Sequence, residues 1–263
     1  MAKVRVDRLL LEKGLVDSRA KAQRLIMAGQ VRVNGQLVPK PSVKVLATAD
    51  IEIDEGPQYV SRGGDKLAAA LAAFSIQVNG LSCADVGSST GGFTDCLLQN
   101  GAAAVYAIDV GKGILDWRLR TNPQVRVFEG INARFLESLP EPVDLITIDV
   151  SFISLTLLFP VIFPWLSQNN QGLIALIKPQ FEAGREQVKR GKGVIRDPEV
   201  HQQVLLNVLA NAATQEFACQ GLIRSPLLGP KGNVEFLAWL RHGGEPKFDV
   251  PARIQTLICD PEK

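Results

Sequence analysis

Residues 81–94 read LSCADVGSSTGGFT, running from Leu81 through Asp85, Gly87, Ser88, Ser89, Gly91 and Gly92 to Phe93 and Thr94. Leu81 to Val86 is an apolar run of strand length, and it feeds a three-glycine turn that opens a helical stretch. Glycines let a backbone approach a ligand closely, and the free N–H groups at a helix start bind a polar group. Strand-like and helix-like segments alternate outward from this point. Strands are predicted over 81–86, 104–109, 125–128, 143–149, 172–177, 217–224 and 234–240, with helices over 65–74, 91–100, 154–166 and 198–213. That order predicts a doubly wound α/β domain whose sites lie at the carboxyl ends of its strands.

The turn has the form D-x-G-x-x-x-G-G, where a dehydrogenase more often shows G-x-G-x-x-G. It resembles the S-adenosylmethionine motif of class I methyltransferases. The resemblance makes Asp85, Gly87, Ser88, Ser89, Gly91, Gly92 and Phe93 candidates for cofactor binding. Asp109 closes the second strand, where an acid can accept both ribose hydroxyls. Asn132, after the third strand, is a candidate for the adenine region.

A chain of 263 residues, 46% of them hydrophobic, has room for a large α/β domain plus a smaller one. Residues 1–46 hold ten Lys/Arg against three acids, a net of +7, whereas the remaining 217 residues carry −5. A basic head on a mildly acidic body points to a polyanionic partner. Cys83, Cys96, Cys219 and Cys259 form no CxxC pair and no zinc-type cluster, so they read as reduced thiols of a cytoplasmic protein without a metal. The opening MAKVRVDRLLLEKG is charged throughout and lacks the apolar core of a signal peptide. Val150 to Ile177 carries no charge, but Pro160, Pro164 and the polar stretch Ser167–Gly172 break it, so it reads as buried helix, turn and strand.

The head reads as two short helices and a hairpin. Gly14 ends the first helix, Asp17-Ser18 caps a second over Arg19–Ala28, and Val31-Arg32-Val33 before Asn34-Gly35 signals a tight hairpin. This pattern, with VDSRAKAQRLIMAGQVRVNGQLV at its centre, resembles the S4 RNA-binding domain over about residues 3–50. RNA contact is expected at Arg5, Arg8, Arg19, Lys21, Arg24 and Arg32. The domain reading is 1–58 for this α+β head, 59–63 for a linker, 64–244 for the α/β body and 245–263 for a tail.

Asp149 ends the apolar run VDLITID, where an acid is costly unless it faces a cation or caps the next helix. Both roles stay open from spacing alone. The NPPY-type stretch of amine methyltransferases is replaced by DVSF, without prolines. Lys178 ends the run GLIALI and is either a desolvated general base or a snorkelling surface lysine. Glu235 interrupts the apolar strand VEFLAWL and calls for a partner, while Lys66 alone is unremarkable.

The ordered set SRGGDKL, DVGSSTGGFTDCLL, AIDVGKG, IDVSFISL, IKPQFE and GPKGNVEFLAWL, behind an S4 head, closely resembles the hemolysin A or TlyA family over about residues 3–242. These are ribosomal-RNA 2′-O-methyltransferases with an FtsJ-like domain. The resemblance implies a catalytic tetrad at Lys66, Asp149, Lys178 and Glu235, S-adenosylmethionine as cofactor with Asp149 beside it, and a cytidine target in large-subunit and sometimes small-subunit RNA. Lys178 would then take the hydroxyl proton, with Asp149 orienting it and Lys66 and Glu235 positioning the ribose. Arg185, Lys189, Arg190, Lys192 and Arg196 read as a mobile basic loop touching the RNA backbone, or as a merely solvated one. Two other function classes stand beside this one: a non-enzymatic RNA-binding factor on a degenerate methyltransferase fold, and a membrane-lytic protein.

Overall fold

The computed structural model describes residues 3–54 and 56–259. Its chain divides into two compact units, Met1–Gln58 and Tyr59–Lys263.

The first unit contains β1 (Lys3–Arg5), α1 (Val6–Glu12), α2 (Arg19–Met27), β2 (Val31–Val33), β3 (Gln36–Leu37), β4 (Lys44–Leu46) and β5 (Ile51–Ile53). Ser18 caps α2, its hydroxyl accepting from the Lys21 amide at 3.3 Å. Asn34 and Gly35 both have positive φ, the geometry that a two-residue hairpin requires, and they join β2 to β3. β5 pairs with the other edge of β2, and β1 pairs with β4. Val6, Leu10, Ala22, Ile26 and Val31 fill a core of the unit's own.

The second unit opens with α3 (Gly63–Phe74), β6 (Ser82–Val86), α4 (Gly92–Gln99), β7 (Ala104–Asp109), α5 (Trp117–Arg120), β8 (Val125–Glu129) and β9 (Leu145–Ile148). It continues with α6 (Phe159–Ile162), β10 (Gly172–Ile177), α7 (Pro179–Glu182), α8 (Arg185–Arg190), α9 (Pro198–Ala213), β11 (Phe217–Arg224), β12 (Phe236–His242) and α10 (Val250–Cys259). Among the described residues, seven strands form one sheet in the order β11-β12-β10-β9-β6-β7-β8. β6 to β10 are mutually parallel, and β12 runs antiparallel to both its neighbours. β9 and β10 are buried at every position, as parallel strands covered on both faces must be. Alternate side chains feed two cores: Leu145, Ile174 and Leu176 pack with α3 and α4, while Ile146, Ala175 and Ile177 pack with α6, α9 and α10. The doubly wound architecture is the one the sequence predicts.

Four local expectations are corrected. The helix over 154–166 is broken into a 3-10 turn, α6 and a second 3-10 turn, because Pro160 and Pro164 lack the amide hydrogen and each restarts a helix in its first turn. Residues 59–63 are not a free linker: Tyr59 is buried, and the missing Cβ of Gly64 makes room for its ring, which a side chain would meet at 2.1 Å. The end of the chain is more than a tail, since α10 buries Ile254 and Leu257 against the sheet. The basic loop after Gly184 begins as α8. Among the described residues no helix is long and apolar enough to cross a membrane.

Candidate active site

The parallel strands deliver their carboxyl ends to one side of the sheet. β6 ends in the glycine turn, where the amides of Gly87 and Ser88 both donate to the Ile108 carbonyl at 2.8 and 3.1 Å. Gly87 has φ +85°, and a Cβ there would lie 2.6 Å from the Asp149 carbonyl oxygen, so only glycine lets the turn close against the end of β9. Gly91, at φ +101°, lets Leu119 approach in the same way. Asp109 holds the turn from the next strand, accepting from the amides of Ser89 at 2.8 Å and Gly111 at 2.7 Å.

Two cavities meet at this turn. The more polar one, about 440 Å³, is lined by Ser61, Arg62, Lys66, Gly87 to Thr90, Gly92, Phe93, Asp149, Ser151 and Lys178. Its neighbour, about 300 Å³, is lined by Asp109, Val110, Ile114, Ile131, Asn132, Val150 and Phe152 among others. Gly87, Ser89, Asp149 and Ser151 belong to both, so they join into one cleft with a polar end and an apolar end.

Of the cofactor candidates from the sequence, Gly87, Ser88, Ser89, Gly92, Phe93, Asp109, Asn132 and Asp149 line this cleft, as do Lys66 and Lys178. Gly91 stands behind it. Asp85 is a correction: its carboxylate is fully buried, accepts from Thr94 Oγ1 at 2.7 Å and Thr147 Oγ1 at 3.3 Å, and lines neither cavity. Burial pushes it up to about 7. Its work is to tie β6 to α4 and β9.

Lys66, Asp149, Lys178 and Glu235 come together as two ion pairs. Asp149 and Lys178 follow the adjacent strands β9 and β10, and Lys178 Nζ lies 2.5 Å from Asp149 Oδ1. The lysine also donates to Ser151 Oγ at 3.2 Å. Glu235 immediately precedes β12 rather than lying within a strand, and the pairing of Ile177 with Phe236 brings it beside the end of β10. Glu235 Oε2 accepts from Lys66 Nζ at 2.6 Å, and Oε1 accepts from Gln180 Nε2 at 3.3 Å. The turn before β12 packs on this carboxylate, where a Cβ on Gly229 would meet Oε1 at 2.6 Å.

Sequence reasoning missed Ser151, Gln180, Arg62 and an aromatic pair. Phe152 is 90% exposed and its ring centroid lies 4.9 Å from that of Phe181. The aromatic residues in DVSF and KPQF were the available signal, but nothing in either motif reveals that the two meet.

The cationic candidates are less free than their count suggests. Arg5 and Arg19 both donate to the buried Asp7, with Gln23 as a further donor, and the Arg5 guanidinium holds this carboxyl far below its usual range. Arg8 pairs with Glu12 and Lys21 with Asp17. Arg24 is exposed and makes no ion pair among the described residues, and Arg32 reaches only the Gly35 carbonyl at 3.4 Å. In the second unit Lys189 and Lys192 are exposed, while the side chains of Arg185 and Arg190 lie outside the described set.

A family model for FtsJ-like methyltransferases matches residues 59–242, and one for the S4 domain matches residues 4–51. The chain belongs to the FtsJ-like methyltransferase family. It is 44% identical to the 16S/23S rRNA (cytidine-2′-O)-methyltransferase TlyA of Mycobacterium tuberculosis over 243 residues, covering 91% of this chain and 90% of that one. It is 42% identical to Hemolysin A of Brachyspira hyodysenteriae, covering 89% and 98%. A solved structure from Streptococcus thermophilus, carrying a hemolysin name, is 43% identical with a TM-score of 0.73, over 98% of this chain and 95% of that one.

As an FtsJ-like methyltransferase the chain is an enzyme whose methyl donor is S-adenosylmethionine. The cleft fits that molecule. Ser88 Oγ is buried with no hydrogen-bond partner among the described residues, and Ser88 lines the polar cavity beside the Asp149 carboxylate. Asp109 and Asn132 flank the apolar one.

Proposed function

We propose that this FtsJ-like methyltransferase methylates the 2′-hydroxyl of a cytidine ribose in ribosomal RNA, acting in the cytoplasm on RNA or on ribosomal subunits. The observation that carries the reading is the placement of Lys178 at the cleft, with Nζ 2.5 Å from Asp149 Oδ1 and 3.2 Å from Ser151 Oγ. A ribose hydroxyl is a weak nucleophile at neutral pH and needs a base at the moment of attack. Bound S-adenosylmethionine supplies an already activated methyl group, so in-line positioning matters more than help to the leaving group.

Lys178 Nζ, in its neutral form, accepts the hydroxyl proton. The adjacent Asp149 carboxylate stabilises the ammonium that forms, and Ser151 Oγ fixes the amine's direction. Lys66, clamped by Glu235, presents a directed cation to the ribose oxygens. Phe152 and Phe181, their rings tilted 50° to each other, put aromatic surface beside Lys178, and the exposed Phe152 ring is suited to stacking a nucleobase. The substrate in the TlyA relative's name supports cytidine in ribosomal RNA, and the S4 unit supports a phosphate grip separate from the chemistry.

The test is incubation with methyl-labelled S-adenosylmethionine and separated ribosomal subunits, followed by nuclease digestion and nucleoside analysis. Label is expected in 2′-O-methylcytidine. Label in a methylated base, or in protein, would overturn the reading.

A further inference from the structure

Two segments leave the ends of β9 and β10 side by side, residues 149–155 and 178–182, and they touch at three places. Asp149 and Ser151 meet Lys178, the ring of Phe152 meets that of Phe181, and Glu182 meets Ser154 and Leu155. The first contact belongs to the chemistry. The third has no part in it.

Phe152 sits at φ +67°, in the left-handed region that bulky residues avoid, with its side chain turned out to water. Neither burial nor intrinsic preference holds it there. Among the described residues, no backbone N–H from 150 to 154 enters a backbone hydrogen bond. A strained, unburied conformation persists only when its flanks are fixed. On one flank Lys178 Nζ holds Ser151 Oγ. On the other, Glu182 Oε2 accepts from Ser154 Oγ at 2.6 Å and Oε1 accepts from the Leu155 amide at 2.8 Å. A carboxylate is acceptor-only on both oxygens, so it answers both donors at once. The amide of Glu182→Gln would face the Ser154 hydroxyl with its nitrogen, donating where the carboxylate accepted, so both links can persist but without their charge. Ser154 Oγ also accepts from the Thr156 amide at 3.2 Å, so the same hydroxyl starts the 3-10 turn that follows.

We propose that Glu182 is a positioning residue that locks the Phe152 loop against the Lys178 segment and thereby sets the aromatic face that receives the RNA base; the role in RNA recognition rests on the function proposed above. Glu182 touches neither donor nor acceptor of the methyl group. It acts through the two segments that do.

The experiment has two readouts on the full-length protein carrying Glu182→Ala, Glu182→Gln, Phe152→Ala or Glu182→Ala with Phe152→Ala. The first is chymotrypsin digestion, with cleavage after the exposed Trp117 and Phe135 as internal clocks. Glu182→Ala, which loses both charge-assisted links, should speed cleavage after Phe152 by about tenfold or more relative to the clocks, and Glu182→Gln, which loses only the charge, should fall between it and wild type. The second is steady-state methylation of ribosomal RNA at saturating S-adenosylmethionine. Glu182→Ala should raise the RNA KM about tenfold while calorimetric affinity for S-adenosylmethionine stays unchanged, and the double variant should be no worse than Phe152→Ala alone. Unchanged cleavage after Phe152 in both Glu182 variants would overturn the hold on the loop. Multiplying effects on KM would overturn its link to Phe152. A wild-type protein that methylates no ribosomal RNA would instead sink the functional reading, with the digestion still deciding what Glu182 holds.

Discussion

Lys66 Nζ lies 2.6 Å from Glu235 Oε2, and the two side chains leave only 10% and 1% of their surface to solvent. A charge pair this enclosed is a poor source of net stability, but losing one partner strands the other. Glu235→Ala should therefore lower unfolding free energy by about 3–5 kcal/mol in urea titrations and abolish methyl transfer. Combining Lys66→Met with Glu235→Leu should restore much of the stability and none of the activity. A Glu235→Ala protein as stable as wild type would show that water reaches the pair.

Lys178 is expected to be the base. Lys178→Ala should abolish methyl transfer while calorimetry finds cofactor affinity within a few-fold of wild type, because the lysine serves the RNA hydroxyl. Lys178→Arg should fail as well, since a guanidinium does not give up its proton near neutrality. Robust turnover by the arginine variant would reduce Lys178 to a substrate-positioning role.

The sheet was legible because its determinants are local. Apolar runs such as LITI and GLIALI fix buried parallel strands, and DVGSSTGG marks the turn that opens the ligand site. Family resemblance singled out Lys66, Asp149, Lys178 and Glu235, but their pairing was not legible, because Lys66 meets Glu235 across 169 residues of sequence. The same limit hid the Phe152–Phe181 contact and the tie of Glu182 to Ser154. Asp85 misled for a different reason: a motif acid at a strand end reads as a ligand, while only the threonines around it, Thr94 and Thr147, reveal that it faces inward. Charge counting overstated the free cations of the head, since Arg5 and Arg19 share one buried carboxylate.

Asp109 braces the turn through two amides, and its place in the cleft supports the proposal that it also receives the ribose of the donor. Asp109→Ala should weaken S-adenosylmethionine binding by ~1–3 kcal/mol through lost charge-assisted hydrogen bonds. Asp109→Asn should lose less, because its amide oxygen can still accept one of the turn amides. Equal affinity of wild type and a folded Asp109→Ala protein, measured by calorimetry, would remove Asp109 from the donor site.

Asp85 predicts an unusual pH response. Burial raises its folded value to about 7, whereas an unfolded aspartate titrates near 3.9. Between these values the folded state holds more protons than the unfolded one, so stability falls as pH rises through this window and levels off above it. Asp85→Asn is neutral throughout and lacks this loss. The stability difference between variant and wild type should therefore grow in the variant's favour from pH 4 to pH 8, on the order of a few kcal/mol in all. Denaturant titrations giving a difference independent of pH would show that Asp85 is not held in its protonated form.

The head and the body should divide the labour of RNA binding from that of chemistry. Residues 1–46 carry +7 and the rest −5, and each unit has its own core. A chain beginning at Pro57 should still fold and bind S-adenosylmethionine, because the cofactor turn and both ion pairs lie beyond that point, yet it should lose most of its RNA affinity. In the full chain the freest cations are the informative ones. Arg24→Ala or Arg32→Ala should each shallow the log–log dependence of affinity on salt by roughly 0.7–0.9, the value for one phosphate contact. Arg5→Ala should also destabilise the head, because Arg5 is committed to Asp7 through two nitrogens. Sequence preference should change little in any of them, since phosphate contacts position the RNA without reading it. If the shortened chain methylated ribosomal RNA as efficiently as the whole protein at physiological salt, the head would not be the phosphate grip, and the free arginines on α2 and β2 would need another purpose.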